Sequence, residues 1–417
     1  MLRKLTTIAA TALLAACSTR EGNDKVNIGK QTIQMESDVM TPEALWAMSR
    51  IAGYQAAPDG EHVAFQMGYY SVKENRSHQV LWMMNADGSG QKQLTEDAEN
   101  ETDVQWLDAE TIAFLRGGEV WKMHLDGTGR TQMSQTEGKV EGFLFSPDGQ
   151  KAILLKSIDF NKIIQKTPDD LPQATGRVVN DLMYRHWDHY VETIQHPFVG
   201  SISGDGIATD LTDILEGEPF ECPMEPFGGI EQLAWSPDSK FIAFTCRCKT
   251  GIGYSISTDS DIFLYDTETR QTTNLCKPAD YKEPAIEPTK TMKDQPVNRQ
   301  AGDMNVGYDT NPKFSPDGRC VAWLSMERDG YESDRQRLCI RNLQEAFIEQ
   351  MDPPKKITKR DHNEQRHGGI HGKYQIIHIY SFTAAGQINT GKVHSCQYVG
   401  ETCRAYKTCI KKKYNLI

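Results

Sequence analysis

The densest group of reactive side chains in this 417-residue sequence is Asn180-Asp181-Leu182-Met183-Tyr184-Arg185-His186-Trp187-Asp188-His189-Tyr190. It packs three aromatics, two histidines, one arginine and two aspartates into eleven residues. His186 and His189 stand three apart, a spacing that puts two ring nitrogens on one side of a helical turn, but no third ligand is apparent and no metal site is assigned. Cys246-Arg247-Cys248 has a single residue between its thiols, which is the wrong spacing for a zinc knuckle. Nothing in the sequence calls for a cofactor. The competing reading of this stretch is structural: Tyr184 and Trp187 as packing at a strand edge, Asp188 and nearby Glu192 as a solvated surface.

One further cysteine has a chemistry of its own. Arg3 and Lys4 precede a short apolar run, Leu5 to Leu14, too short to span a bilayer comfortably. Leu14-Ala15-Ala16-Cys17 then matches a bacterial lipobox, in which the cysteine becomes the lipidated N-terminus. Residues 1–17 read as a lipoprotein signal peptide and 18–37 as a polar tether between lipid and fold. The expectation is an envelope lipoprotein anchored through Cys17 and facing the periplasm, with an ordinary signal peptide as the alternative. A net charge of −11 and a pI near 5.5 argue against a nucleic-acid partner.

The elements that must position these residues form a repeat. Phe145-Ser146-Pro147-Asp148-Gly149 leads into Ala152-Ile153-Leu154, Trp235-Ser236-Pro237-Asp238-Ser239 into Ile242-Ala243-Phe244, and Phe314-Ser315-Pro316-Asp317-Gly318 into Val321-Ala322-Trp323. Weaker copies begin at Ala57-Pro58-Asp59-Gly60 and Trp106-Leu107-Asp108-Ala109. Ser, Pro, Asp and Gly suit the successive positions of a type I turn. The small residue at the centre of the outgoing strand (Ala64, Ala113, Ala243, Ala322) suits a strand packed closely on both faces. A second hairpin, such as Val120-Trp121-Lys122-Met123 into Asp126-Gly127, usually follows.

Two hairpins in about 40 residues make a four-stranded propeller blade. A β-sandwich would explain the alternation but not the fixed recurrence. The fold expected is all-β, a β-propeller with about five recognisable four-stranded blades over residues 38–343. The third blade is interrupted after Lys156 by the reactive insertion. Thr41-Pro42-Glu43 opens a short helix with Thr41 as its cap.

From Met351 onward there are 12 Lys and Arg against 4 Asp and Glu, with five histidines and no Ser-Pro-Asp-Gly turn. Residues 344–417 are read as an irregular, non-homologous basic tail, with a frameshift or misassembled gene as its expected origin. The alternative is a metal-binding or anionic-surface tail.

The repeated turns, the opening helix and the insertion Met183-Tyr184-Arg185-His186-Trp187-Asp188 together resemble the N-terminal propeller of bacterial prolyl oligopeptidase-family serine peptidases. Dipeptidyl-peptidase and acylaminoacyl-peptidase-like members are the nearest in kind. The turns alone are less specific, because the propeller of the Tol-Pal envelope system carries them too. The resemblance implies a ring of seven or eight blades capping an α/β-hydrolase domain, so five blades make an incomplete propeller. It also implies a propeller that gates the active site and binds the substrate's N-terminus. An ammonium needs carboxylates in a partly desolvated site. The candidates are Asp188, Glu192 and Glu221, with Arg185 for a backbone carbonyl and Trp187 as an apolar wall. The family's Gly-x-Ser-x-Gly elbow is not found: Gly200-Ser201-Ile202-Ser203-Gly204 has Ile at its centre. No catalytic residue is therefore assigned, and the chain alone is expected to be inactive. The second function considered is a stand-alone envelope propeller that serves as a protein-interaction module.

Overall fold

The fold is taken from a computed structural model, which describes residues 28–343 and the strand 355–357, apart from residues 36, 97–98, 161–169, 177, 180, 186–188, 227, 280, 282–305 and 331. The repeated turns fold by the chemistry of their own residues. The Ser146 carbonyl accepts from the Gly149 amide at 2.9 Å. Its hydroxyl donates to Asp148 Oδ1 at 2.6 Å and accepts from the Lys151 amide at 2.9 Å. The same three bonds recur at Ser236 and at Ser315. Gly149 and Gly318 close their turns at φ of 69° and 72°, a left-handed corner that costs glycine least; Ser239 holds it at 60°.

Five antiparallel sheets follow in chain order. Blade one is β1 (Arg50–Ala56), β2 (His62–Ser71), β3 (Arg76–Asn85) and β4 (Lys92–Gln93). Blade two is β5 (Glu101–Trp106), β6 (Thr111–Arg116), β7 (Glu119–His124) and β8 (Thr131–Gln132). Blade three is β9 (Val140–Phe145), β10 (Lys151–Asp159) and β11 (Thr193–Ser203), with both β12 (Gly206–Ile207) and β13 (Thr212–Asp213) paired to β11. Blade four is β14 (Leu233–Trp235), β15 (Phe241–Cys246), β16 (Asp261–Asp266) and β17 (Thr272–Asn274). Blade five is β18 (Asp309–Phe314), β19 (Cys320–Ser325), β20 (Arg337–Asn342) and β21 (Lys355–Ile357). The fifth sheet thus takes its outer strand from beyond residue 343, where the sequence pattern stops: Leu338 pairs with Ile357 and Ile340 with Lys355. Helix α1 (Pro42–Ala47) begins as its sequence requires, with Thr41 Oγ1 accepting from the Ala44 amide at 3.2 Å.

Blades stack through the small residues the sequence singles out. Ala64, Ala113, Ala243 and Ala322 are all fully buried, as is Ala152 in blade three. A β-carbon and no more lets the next sheet approach. Inner strands are also tied across blades by indoles: Trp106 Nε1 donates to the Gln55 carbonyl at 3.1 Å, and Trp235 Nε1 to the Leu144 carbonyl at 3.2 Å. Apolar clusters join blade one to two, two to three, three to four and four to five. Among the described residues none joins blade five to blade one. On β1, Ile51 is 64% exposed, whereas the equivalent strand β14 is buried throughout.

The antiparallel order gives the molecule two unlike faces. First-to-second strand connections, including the Ser-Pro-Asp turns, lie on one, the turn face. Second-to-third strand connections and the links between blades lie on the other, the loop face. The insertion after β10, helix α2 (Gly251–Ile256) after β15, and residues 214–232 before β14 all belong to the loop face.

Candidate functional site

On the loop face the insertion folds back as a short hairpin. Tyr184 bridges Tyr190, the Arg185 amide donates to the His189 carbonyl at 2.9 Å, and the Val191 amide donates to the Met183 carbonyl at 3.0 Å. Met183, Val191 and Ile194 bury against Tyr254 of α2, and the Tyr184 amide donates to Ser255 Oγ at 2.7 Å. An apolar seam therefore docks the hairpin onto blade four and carries Arg185 inward.

Arg185 then meets Glu221, which comes from the link between blades three and four. Arg185 Nη2 lies 3.1 Å from Glu221 Oε2 and also donates to the Thr193 carbonyl at 3.3 Å, while Nη1 is 3.2 Å from His189 Nε2. Glu221 is 1% exposed. Its Oε1 accepts from the Tyr254 hydroxyl in a very short contact and from the Glu225 amide at 3.2 Å. Arg247, fully buried, stacks on the Tyr254 ring at 4.2 Å; it donates to the Ser257 carbonyl at 3.0 Å and the Glu225 carbonyl at 3.4 Å. Blade five reaches in through Asp329, which accepts from Ser257 Oγ at 2.9 Å and from the Thr258 amide at 2.6 Å.

The electrostatics follow from burial and charge. Burial is the largest single influence and works against the Arg185 guanidinium, but Glu221 and Tyr254 together outweigh it and the pKa lies above the usual arginine value. Burial, reinforced by Glu221, pushes the Tyr254 phenol up, so it remains a donor. Glu225 is half-buried, and its carboxyl is raised first by burial, then pulled down by Arg185 and pushed up by Glu221, Glu141 and Glu231. It is an acid poised in a field rather than neutralised by a partner.

Of the residues picked from the sequence, the structure brings Arg185 and Glu221 into direct contact. Both Glu221 oxygens are engaged internally, so this carboxylate holds Arg185 in place and has no lone pair turned outward. Glu192 immediately precedes β11 on the same face and is half-buried. Trp187, Asp188 and His186 lie outside the described residues. Tyr254, Arg247 and Glu225 were not picked. Arg247 had a readable signal, a charge directly ending the apolar run of β15. Glu225 stands directly before Pro226, four residues after Glu221, but nothing local distinguishes its role.

Comparison with known proteins bears on this arrangement. No protein-family model matches the chain. Dipeptidyl-peptidase 5 of Porphyromonas gingivalis is 43% identical over 309 residues, covering 73% of this chain and 41% of that protein. Dipeptidyl-peptidase 5 of Porphyromonas endodontalis is 39% identical over 345 residues, covering 82% and 46%. This likeness agrees with the resemblance read from the sequence, that of the propeller part of a prolyl oligopeptidase-family peptidase. This dipeptidyl-peptidase-like propeller spans less than half the length of those relatives. Among solved structures, Pyrococcus horikoshii acylaminoacyl peptidase is similar at a TM-score of 0.46 and 13% identity, covering 75% of this chain and 40% of that one. TolB of Acinetobacter baumannii is similar at 0.37 and 12%, covering 70% and 52%.

Proposed function

We propose that this propeller is the substrate-gating part of an exported dipeptidyl- or acylaminoacyl-peptidase-like lipoprotein, held in the envelope by lipid on Cys17. The observation that carries the reading is Glu225, half-buried on the loop face beside an Arg185 that Glu221 and Tyr254 fix in place. A peptide's N-terminal ammonium is attracted to Glu225, with Glu192 adding negative charge on the same face; Asp188, outside the described residues, is the further carboxylate read from the sequence. Arg185 offers its remaining donor edge to a peptide carbonyl, and Trp187 an apolar wall. Glu221 acts as the positioning residue for Arg185, in place of the direct ligand role read from the sequence. The relatives' name, dipeptidyl-peptidase 5, supports a peptide ligand. Acyl transfer needs a nucleophile, a base and an oxyanion hole, and the serines described in Ser-Pro-Asp turns are committed to backbone bonds.

Calorimetric titration with a free dipeptide and with its N-acetylated counterpart tests the reading. The free amine binds at least tenfold more tightly, and Glu225→Gln removes that preference. Equal binding of the two, or none, rejects peptide-amine recognition and favours the interaction-module alternative. Incubation with a serine-directed fluorophosphonate leaves the polypeptide unlabelled; covalent labelling that survives purification overturns that part. Mass spectrometry of the mature protein finds a lipidated Cys17 at its N-terminus, and an unmodified terminus elsewhere removes the anchor.

A further inference from the structure

A second buried polar cluster lies on the loop face where blades four and five meet. Asp259 leads into β16, Asp261 opens it, Cys276 follows β17 and Asp309 opens β18. None of the four is more than 7% exposed. Lys249 Nζ is 3.0 Å from Asp259 Oδ2; Lys277 Nζ is 2.8 Å from the same oxygen and 3.1 Å from Asp261 Oδ2. Two ammonium groups thus answer two carboxylates. Asp309 is the third carboxyl, and the partners described for it are neutral: the Trp323 indole N–H at 3.0 Å from Oδ1, the Ser325 hydroxyl and the Cys276 thiol.

Two observations show that the set is incomplete as it stands. Asp261 Oδ2 is taken by Asn274 Nδ2 at 2.8 Å as well as by Lys277, yet Oδ1 of the same carboxylate is buried without a partner. One oxygen from each of Asp261 and Asp309, together with Cys276 Sγ, lie within 4.8 Å of one another. A buried carboxylate oxygen with nothing to accept from is costly, and a cation between these atoms would satisfy it.

We propose that Asp261, Cys276 and Asp309 bind one divalent transition-metal ion of the zinc class. The thiolate decides the class, since calcium and magnesium take oxygen donors and decline sulfur. Binding releases the protons of Cys276 and Asp309. The cation with three anionic ligands carries a net charge of about −1, Asp259 adds another, and Lys249 and Lys277 cancel both. The Ser325 hydroxyl, fully buried and bound to Asp309, is at hand as a fourth donor. The ion fastens the end of blade four to the first strand of blade five. It has no part in peptide recognition, so it stands or falls separately from the proposed function.

The test uses the full chain and three variants, C276S, D309N and the control C246S. The chain is stripped with chelator, desalted and titrated with zinc and then, in a fresh sample, with cobalt(II). The expected result is one zinc per chain by elemental mass spectrometry, a raised melting temperature on reloading, and a thiolate-to-cobalt charge-transfer band. C276S loses the band, D309N weakens zinc binding at least tenfold, and C246S retains both. The proposal is overturned by absence of equimolar zinc, or by zinc content and band unchanged in C276S and D309N. The latter places the ion on other cysteines of the chain. Circular dichroism of each variant separates lost binding from lost fold.

Discussion

The two faces of this propeller use polar residues in opposite ways. On the turn face, the bonds that shape each Ser-Pro-Asp turn close within five residues and their aspartates stay near solvent. On the loop face, buried charges are assembled from residues 22, 33, 36 and 72 apart in sequence. Local bonds form a blade almost anywhere the motif occurs. Distant ones form only when the blades are already stacked, so the loop face depends on the fold and the turn face helps to make it. That difference explains why the chemistry gathers on one side.

The largest expected break in this contrast is at Asp309. Burial pushes its carboxyl up to about 7 from an ordinary 3.8. With the folded value raised, the folded chain keeps a proton that the unfolded chain gives up. Its contribution is whole below about pH 4, is lost as pH rises from there through about 7, and stays lost above. At about 1.4 kcal/mol per unit, the loss reaches about 4 kcal/mol at most in metal-free protein. Urea titrations in chelator from pH 4 to 8 measure it, and Asp309→Asn reduces the slope, leaving the part due to Asp261, whose carboxyl burial raises to about 6. A wild-type profile already flat counts against a buried, uncompensated carboxyl.

Next is Glu221→Ala, which strands Arg185 with its charge half-buried and removes the acceptor of the Tyr254 hydroxyl. A loss of about 3 kcal/mol is expected, and Arg185→Met on the same background recovers part of it. Additive losses in that double-mutant cycle break the claim that the pair acts as a unit. The turn face gives the smallest effects. Asp238→Ala removes a charge-assisted bond to Ser236, and Gly149→Ala forces a β-carbon into a left-handed corner where no neighbour crowds it. Each costs about 1 kcal/mol, and because the Asp148 amide ties the first turn to Ser239 of the second, the double variant departs from additivity; a strictly additive loss counts against that tie.

How much could be read from the chain follows the same division. The Ser-Pro-Asp repeat, the buried alanines and the Thr41 cap were legible because each is written within a few consecutive residues. The five sheets and their order follow from them. Arg185 and Glu221 were legible as candidates, but their mutual contact was not, since residue type cannot say which of several charges face inward. Tyr254 looked like an ordinary aromatic of the blade, and Arg247 stood out as a charge ending an apolar strand without any sign of what it meets. The outer strand Lys355–Ile357 escaped because three residues carry no period, and two of them are lysines in a basic stretch. Asp309 likewise reads as a strand-leading polar residue; only stacking against blade four reveals the burial.

The turn face carries one further tie whose consequence is mechanical. The Asp148 amide donates to Ser239 Oγ at 3.1 Å, and Lys151 Nζ reaches the Ser239 carbonyl at 3.2 Å and Thr267 Oγ1 at 3.1 Å, so blade three grips blade four by its first turn. A structure whose units hold only their neighbours behaves as a row of clasped hands: strain entering at one blade is passed along and shared, never felt everywhere at once. Blade three, the middle of the row and with Ile153 and Leu154 sealed from water, is expected to be the last to let go. Its β10 amides are expected to set the slow limit of hydrogen exchange, with the outer blades peeling toward it.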